Sequence, residues 1–170
     1  MARLKINLLG SFRVSIDGKS ITQFESHKVR ALLAYLAVEK YQKHHREKLA
    51  SLFWPDMNAQ DARSNLSRAI YNLRELIQDH QAQPPYVLRW RDSIQFNPES
   101  DYWLDVDAFS VQLAGFDLQD RSICDTNPGC CQQVQAAVDL YRGDVLTGLA
   151  FDSSLAFDEW VLVVRQRLLH

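Results

Sequence analysis

With 170 residues, the chain has room for one large domain or two small ones. Its apolar share of 46% and charged share of 24% are those of a soluble globular protein, and no stretch approaches the ~18 apolar residues of a membrane span. The formal net charge of −2 conceals an asymmetry: residues 1–98 hold 15 Lys/Arg against 9 Asp/Glu (net +6), and residues 99–170 hold 4 against 12 (net −8). That split predicts two modules, 1–98 and 99–170, with different partners, the first suited to a polyanion.

Leu4, Ile6 and Leu8 alternate with polar residues, as do Phe12, Val14 and Ile16, so two strands open the chain. Asp17-Gly18 supplies a tight turn into a third strand near Ser20–Thr22. The start of the chain lacks a signal-peptide core, which points to a cytoplasmic protein.

Ser26 is a good N-cap, and Val29, Leu32, Leu33, Leu36 and Ala37 mark the buried face of a first helix. Glu39 to His45 reads as a polar connector. A short second helix follows, with Leu49, Leu52 and Phe53 inward, stopped by Pro55 and Asp56.

Asn58, with Asp61 three residues on, caps a third helix, expected over about 59–79. Its apolar stripe is Leu66, Ala69, Ile70, Leu73, Leu76 and Ile77. The opposite face carries Ser64, Arg68, Tyr71, Asn72 and Glu75, flanked by Arg63, Ser67 and Arg74. After Pro84-Pro85, residues 86–96 form two β-rich runs around Arg91-Asp92-Ser93, a hairpin.

Strands, three helices and a hairpin in this order predict a winged helix-turn-helix, and the N-terminal antiparallel sheet makes it OmpR-like. From Asp105 onward the pattern is helical. Val106, Phe109 and Leu113 mark one helix; Val134, Ala137, Val138 and Tyr141 a second; Phe157, Trp160, Val161, Val164 and Leu168 a third. Gly115 to Gly129 reads as an irregular insertion. The last helix has no stop signal, so the chain reads as a piece of a longer protein. The fold class expected is α+β: a winged helix followed by part of an all-α helical domain.

The residues named so far belong to a pattern that resembles bacterial transcriptional activators of the SARP type. Matching stretches include Leu8-Leu-Gly-Ser-Phe-Arg-Val14 with Asp17-Gly18, Lys28-Val-Arg-Ala-Leu-Leu-Ala34 and Arg46-Glu-Lys-Leu-Ala50. Others are Leu52-Phe-Trp-Pro-Asp56, Ala62-Arg-Ser-Asn-Leu66, Leu73-Arg74 and Asp105-Val-Asp-Ala-Phe109. Tyr141-Arg-Gly-Asp-Val-Leu146 and Phe157-Asp-Glu-Trp160 resemble the start of the activator domain. The resemblance implies a TPR-like helical domain, activation of transcription and direct-repeat DNA sites. His45 departs from the family, which often has a small hydroxyl residue there.

The third helix is accordingly expected to enter the major groove and the hairpin to act as wing. Ser64, Ser67, Arg68, Tyr71 and Asn72 are the expected base contacts: Arg can bridge guanine O6 and N7, and Asn adenine N6 and N7. Glu75 either accepts from cytosine or sets helix depth by repelling phosphate. Arg46, Arg63, Arg74, Arg89 and Arg91 are the expected phosphate contacts. Arg74 has an equal alternative, a salt bridge holding the wing. Alternation along the hairpin puts Arg89 and Arg91 on one face and Trp90 on the other, so Trp90, like Trp54, is expected in the core.

Double-stranded DNA is thus the expected partner, with RNA polymerase or self-association through the helical part as further possibilities. The competing reading is a protein–protein adaptor. No catalytic constellation and no phosphate-cradling glycine motif stands in the sequence, and the expected function needs no cofactor. Cys124, Cys130 and Cys131 lack metal-site spacing and are expected as thiols in a surface loop. Adjacent His44 and His45 rarely converge on one ion, so no metal is expected.

Overall fold

Alternating apolar residues close the N-terminal sheet onto one buried face. The computed structural model describes residues 3–114, 128–149 and 154–170. Strands β1 (Leu4–Asn7), β2 (Arg13–Ile16) and β3 (Lys19–Ile21) form an antiparallel meander with Leu4, Ile6, Val14 and Ile16 buried. Gly18 and Asp17 both take positive φ in the β2–β3 turn, as the Asp-Gly pair requires.

Helices α1 (His27–Val38), α2 (Arg46–Phe53) and α3 (Ala59–Leu76) follow. Ser26 holds the N-cap position of α1, though its side chain makes no cap bond. Asn58 does cap α3: its Oδ1 accepts from the Asp61 N–H at 2.9 Å, and its amide donates to the Asp61 carboxylate at 2.7 Å. The helix ends three residues before the expected 79. Ile77 is buried beyond it, and Gln78 turns the chain at φ 54° into a 3-10 turn over Asp79–Gln81.

The polar connector contains an element the sequence hides. His44–His45 is strand β4, paired with β6 (Ser93–Phe96), which in turn pairs with β5 (Val87–Arg89). The wing is therefore one side of a three-stranded sheet, β4-β6-β5. A further strand, β7 (Tyr102–Leu104), lies parallel to β1 and completes the first sheet in the order β3-β2-β1-β7. The N-terminal sheet thus extends past the division expected at 98/99.

Among the described residues, the helical part comprises α4 (Asp105–Leu113), α5 (Pro128–Leu140) and α6 (Leu155–Leu169). Phe109, Ala137, Phe157, Val161 and Val164 are buried, but Val138 is 58% exposed, contrary to the expected inward face. Cys130 and Cys131 also differ from expectation. They stand in the first turn of α5 rather than in a loop, Cys130 buried and Cys131 exposed; Cys124 lies outside the described residues. Among the described residues, no helix is long and apolar enough to cross a membrane, and no three His, Cys, Asp or Glu gather as metal ligands.

One apolar core runs through both parts, from Leu4 and Leu33 to Phe157 and Val164. Asp105, 1% exposed, fastens their junction. Its carboxylate accepts the N–H groups of Leu8 and Leu9, each at 2.9 Å, just where β1 leaves the sheet. Burial raises its pKa, while those N–H groups and that of Val106 pull it down. Because the folded value sits above the unfolded one, Asp105 favours the fold most when protonated, and this contribution fades as pH rises through the folded value.

Removing the carboxylate is a separate matter, because it strands two buried donors. Asp105→Ala is expected to lower unfolding stability at neutral pH by about 2–4 kcal/mol, the cost of leaving those N–H groups unsatisfied. Urea denaturation measures it. A loss below about 0.5 kcal/mol would mean that the donors find other partners.

Candidate nucleic-acid interface

The α3 stripe Leu66, Ala69, Ile70 and Leu73 is buried, and that fixes what the helix shows to solvent. Ser64, Ser67, Arg68 and Tyr71 are exposed, Tyr71 at 65%. Ser64 Oγ donates back to the Gln60 carbonyl at 3.1 Å. Asn72 lies nearer the edge of this face. It is half-buried, and its Oδ1 accepts from the Glu25 N–H at 3.4 Å, which ties α3 to the segment before α1.

Beside Arg68, a hollow of about 250 Å³ opens between α1 and α3, lined by Ser26, Lys28, Trp54 and Asn65 among others. Lys28 places its ammonium 5.1 Å from the Trp54 ring centre. Desolvation holds the Lys28 pKa below the ordinary lysine value, against the opposing charge of Asp56. Trp54 is buried, as expected.

A second concavity, about 710 Å³, lies where the wing turn meets the start of α2. Arg46, Lys48, Arg63 and Arg91 line it with His45, and Glu47 and Asp92 offset part of their charge. The Arg46 N–H donates to the Asp92 carbonyl at 2.9 Å, which locks the α2 N-terminus to the wing. The Arg46 Nε is buried without a hydrogen-bond partner. Arg63 reaches Glu47 at 3.4 Å with its side chain 58% exposed, an ion pair of little weight in stability.

The structure thus gathers three of the expected phosphate contacts, Arg46, Arg63 and Arg91, around one concavity. Arg89 is exposed at the end of β5. Arg74 is different: its Nε donates to Asp79 Oδ2 at 2.7 Å, and Asp79 is 1% exposed. The other Asp79 oxygen accepts from the Val87 N–H at 3.0 Å. Arg74 therefore ties the end of α3 to the first wing strand through its Nε, the salt-bridge alternative weighed from the sequence.

Trp90 corrects another expectation. It is 38% exposed, with the Lys43 ammonium 4.0 Å from its ring centre. Strand alternation does not apply to it, because residues 90–92 form the turn, closed by the Trp90 N–H on the Ser93 carbonyl at 2.9 Å. Lys28, Lys43 and Lys48 were missed as members of this basic surface. Lys48 was legible from its place in the first turns of α2; Lys43 was not, since only the pairing of β4 with β6 brings it to the wing.

The architecture is a winged helix with an N-terminal four-stranded sheet, joined through one core to a helical unit. No family model matches the chain, and no curated protein matches it. Among solved structures, it is similar to Mycobacterium tuberculosis EmbR in complex with a low-affinity phosphopeptide, with a TM-score of 0.73 and 20% identity. The match covers 99% of this chain and 43% of EmbR, so the chain spans less than half the length of that protein. The likeness establishes the fold, the α+β arrangement expected from the order of strands, helices and hairpin in the sequence.

The roles of the arginines in folding separate cleanly. Arg74→Ala is expected to cost about 2–4 kcal/mol, because it leaves a buried carboxylate without its cation. Arg89→Ala and Arg91→Ala are expected to stay within about 0.5 kcal/mol. Denaturant midpoints at constant m decide, and equal effects would place Arg74 among the ordinary surface cations.

Proposed function

We propose that this chain is the DNA-binding part of a transcriptional regulator, an activator by its resemblance to the SARP type. The observation that carries the reading is the outward face of α3, where Ser64, Ser67, Arg68 and Tyr71 stand exposed beside a basic concavity at the wing. In this reading α3 enters the major groove. Arg68 reads guanine, and Ser64, Ser67 and Tyr71 complete the base contacts, with Asn72 at the rim. Arg46, Arg63, Arg89 and Arg91 hold phosphates and supply the salt-sensitive affinity. No step requires a cofactor, and the site of action is the cytoplasm.

The helical unit is the proposed surface for self-association or for RNA polymerase. Leu155, Leu162 and Leu169 support this, exposed at seven-residue intervals along α6. An adaptor that never meets DNA is the competing reading, but Arg68 and the wing arginines would add little to it.

Titration with duplex DNA at several salt concentrations tests the proposal. Arg68→Ala is expected to cost roughly 1–3 kcal/mol on a selected operator and to relax base preference. Arg89→Ala or Arg91→Ala is expected to weaken all sequences alike and to reduce the salt slope by about 0.9. Absence of binding to any duplex at low salt favours the adaptor.

Direct repeats are the proposed operator form, with two protomers side by side about one helical turn (~10–11 bp) apart. Inserting about half a turn (~5 bp) is then expected to abolish cooperative binding, because it rotates one half-site to the opposite face. A gel-shift titration on both spacings reads this directly, and equal cooperativity would sink the side-by-side arrangement.

A further inference from the structure

Strand pairing separates the two adjacent histidines. His44 turns inward: it is 7% exposed, its Nε2 lies 3.0 Å from the Glu39 carbonyl, and its ring meets Tyr35 edge-on. His45 comes one residue later on the same strand and so falls on the opposite side. It is exposed and lines the concavity of about 710 Å³ between the wing turn and α2.

His45 also occupies the N-cap position of α2, and its ring makes no cap bond. The first N–H groups of that helix therefore lack a side-chain acceptor of the usual kind. Every element around the concavity brings charge to it. The wing turn supplies Arg91 and Asp92, α2 supplies Arg46, Glu47 and Lys48, and α3 supplies Arg63. Ser93, paired opposite His45 on β6, is uncharged. The set holds four cations and two carboxylates before His45 is counted.

We propose that His45 is a phosphate-contacting residue, and that its protonation strengthens the grip on a nucleic-acid backbone at mildly acidic pH. The proposal rests on the DNA reading above and deepens it. Among the side-chain types around the concavity, imidazole alone ordinarily changes charge between pH 5 and 8. Imidazolium offers two donors and a positive charge where neutral imidazole offers one donor. A phosphate held against it favours the charged form, so the extra affinity is present at mildly acidic pH and is lost as pH rises.

The test is fluorescence anisotropy of the whole chain with a random-sequence duplex of about 20 bp, at fixed ionic strength, from about pH 5.5 to about pH 8. Affinity is expected to fall roughly 3- to 10-fold across that range. The salt slope is expected to be steeper by up to about 0.9 at the acidic end. His45→Gln keeps a polar side chain without the charge, and a flat pH profile is expected. His45→Lys is expected to hold the acidic-end affinity throughout.

His27→Gln and His80→Gln are controls, because both histidines are exposed elsewhere on the chain, and the wild-type profile is expected from each. A wild-type affinity that does not change with pH, or an equal pH slope in His45→Gln, overturns the role of His45 while leaving the DNA reading intact. Failure to bind duplex at every pH overturns both.

Discussion

The Asp105 carboxylate, accepting the N–H groups of Leu8 and Leu9, fixes how the two halves of this protein meet. Further backbone groups of that short segment also find counterparts around it. The Leu8 carbonyl accepts from Leu146, the Gly10 N–H donates to Asp144, and the Gly10 carbonyl accepts from Thr147. Leu8 to Gly10 is thus gripped on one side by the first turn of α4 and on the other by the strap before α6. At Gly10, φ +90°, an added Cβ would lie 3.2–3.3 Å from Arg142, so a side chain there would be strained and would have to push Arg142 back by a few tenths of an ångström. The negative charge of Asp105 also suits the positive end of the α4 dipole.

From this junction α6 reaches back across the winged helix. Phe157 packs on Phe53 of α2, and Trp160 on Tyr35 of α1, with ring centres 5.6 and 4.9 Å apart. Ser154 Oγ donates to the Leu52 carbonyl, and Trp160 Nε1 and Arg167 both donate to the Glu39 carboxylate at 2.9 Å. These contacts brace α1 and α2. The helical unit is therefore a wall of the helix-turn-helix, and a change in its seating would alter the platform from which α3 projects.

Much of this arrangement was legible because it rests on local rules. Leu4, Ile6, Val14 and Ile16 alternate, so the sheet could be read; Leu66, Ala69, Ile70 and Leu73 recur at helical spacing, so α3 and its outward face could be read. What escaped depends on partners distant in sequence. His44–His45 has no strand pattern of its own and becomes β4 only by pairing with Ile94 and Ser93. Tyr102–Leu104 becomes β7 only beside β1. Trp90 was misplaced because two-residue alternation was carried into a turn, and the Arg74–Asp79 ion pair depends on the burial of Asp79, which the sequence does not show. The split of His44 and His45, one inward and one at the wing, follows from the same hidden strand.

The parallel pairing of β1 with β7 also bears on how the chain can be made and divided. Leu4 lies opposite Tyr102, so β1 acquires its second neighbour only after the entire winged helix has been synthesised. Until then one edge of β1 displays unpaired backbone groups, the kind of edge on which chains aggregate. Closing so long a loop is also a slow, entropically costly event. Asp105 follows directly behind β7, so sheet closure and capture of Leu8 and Leu9 arrive together. A winged helix cut at the end of its hairpin would therefore expose both an open sheet edge and the donors that Asp105 satisfies.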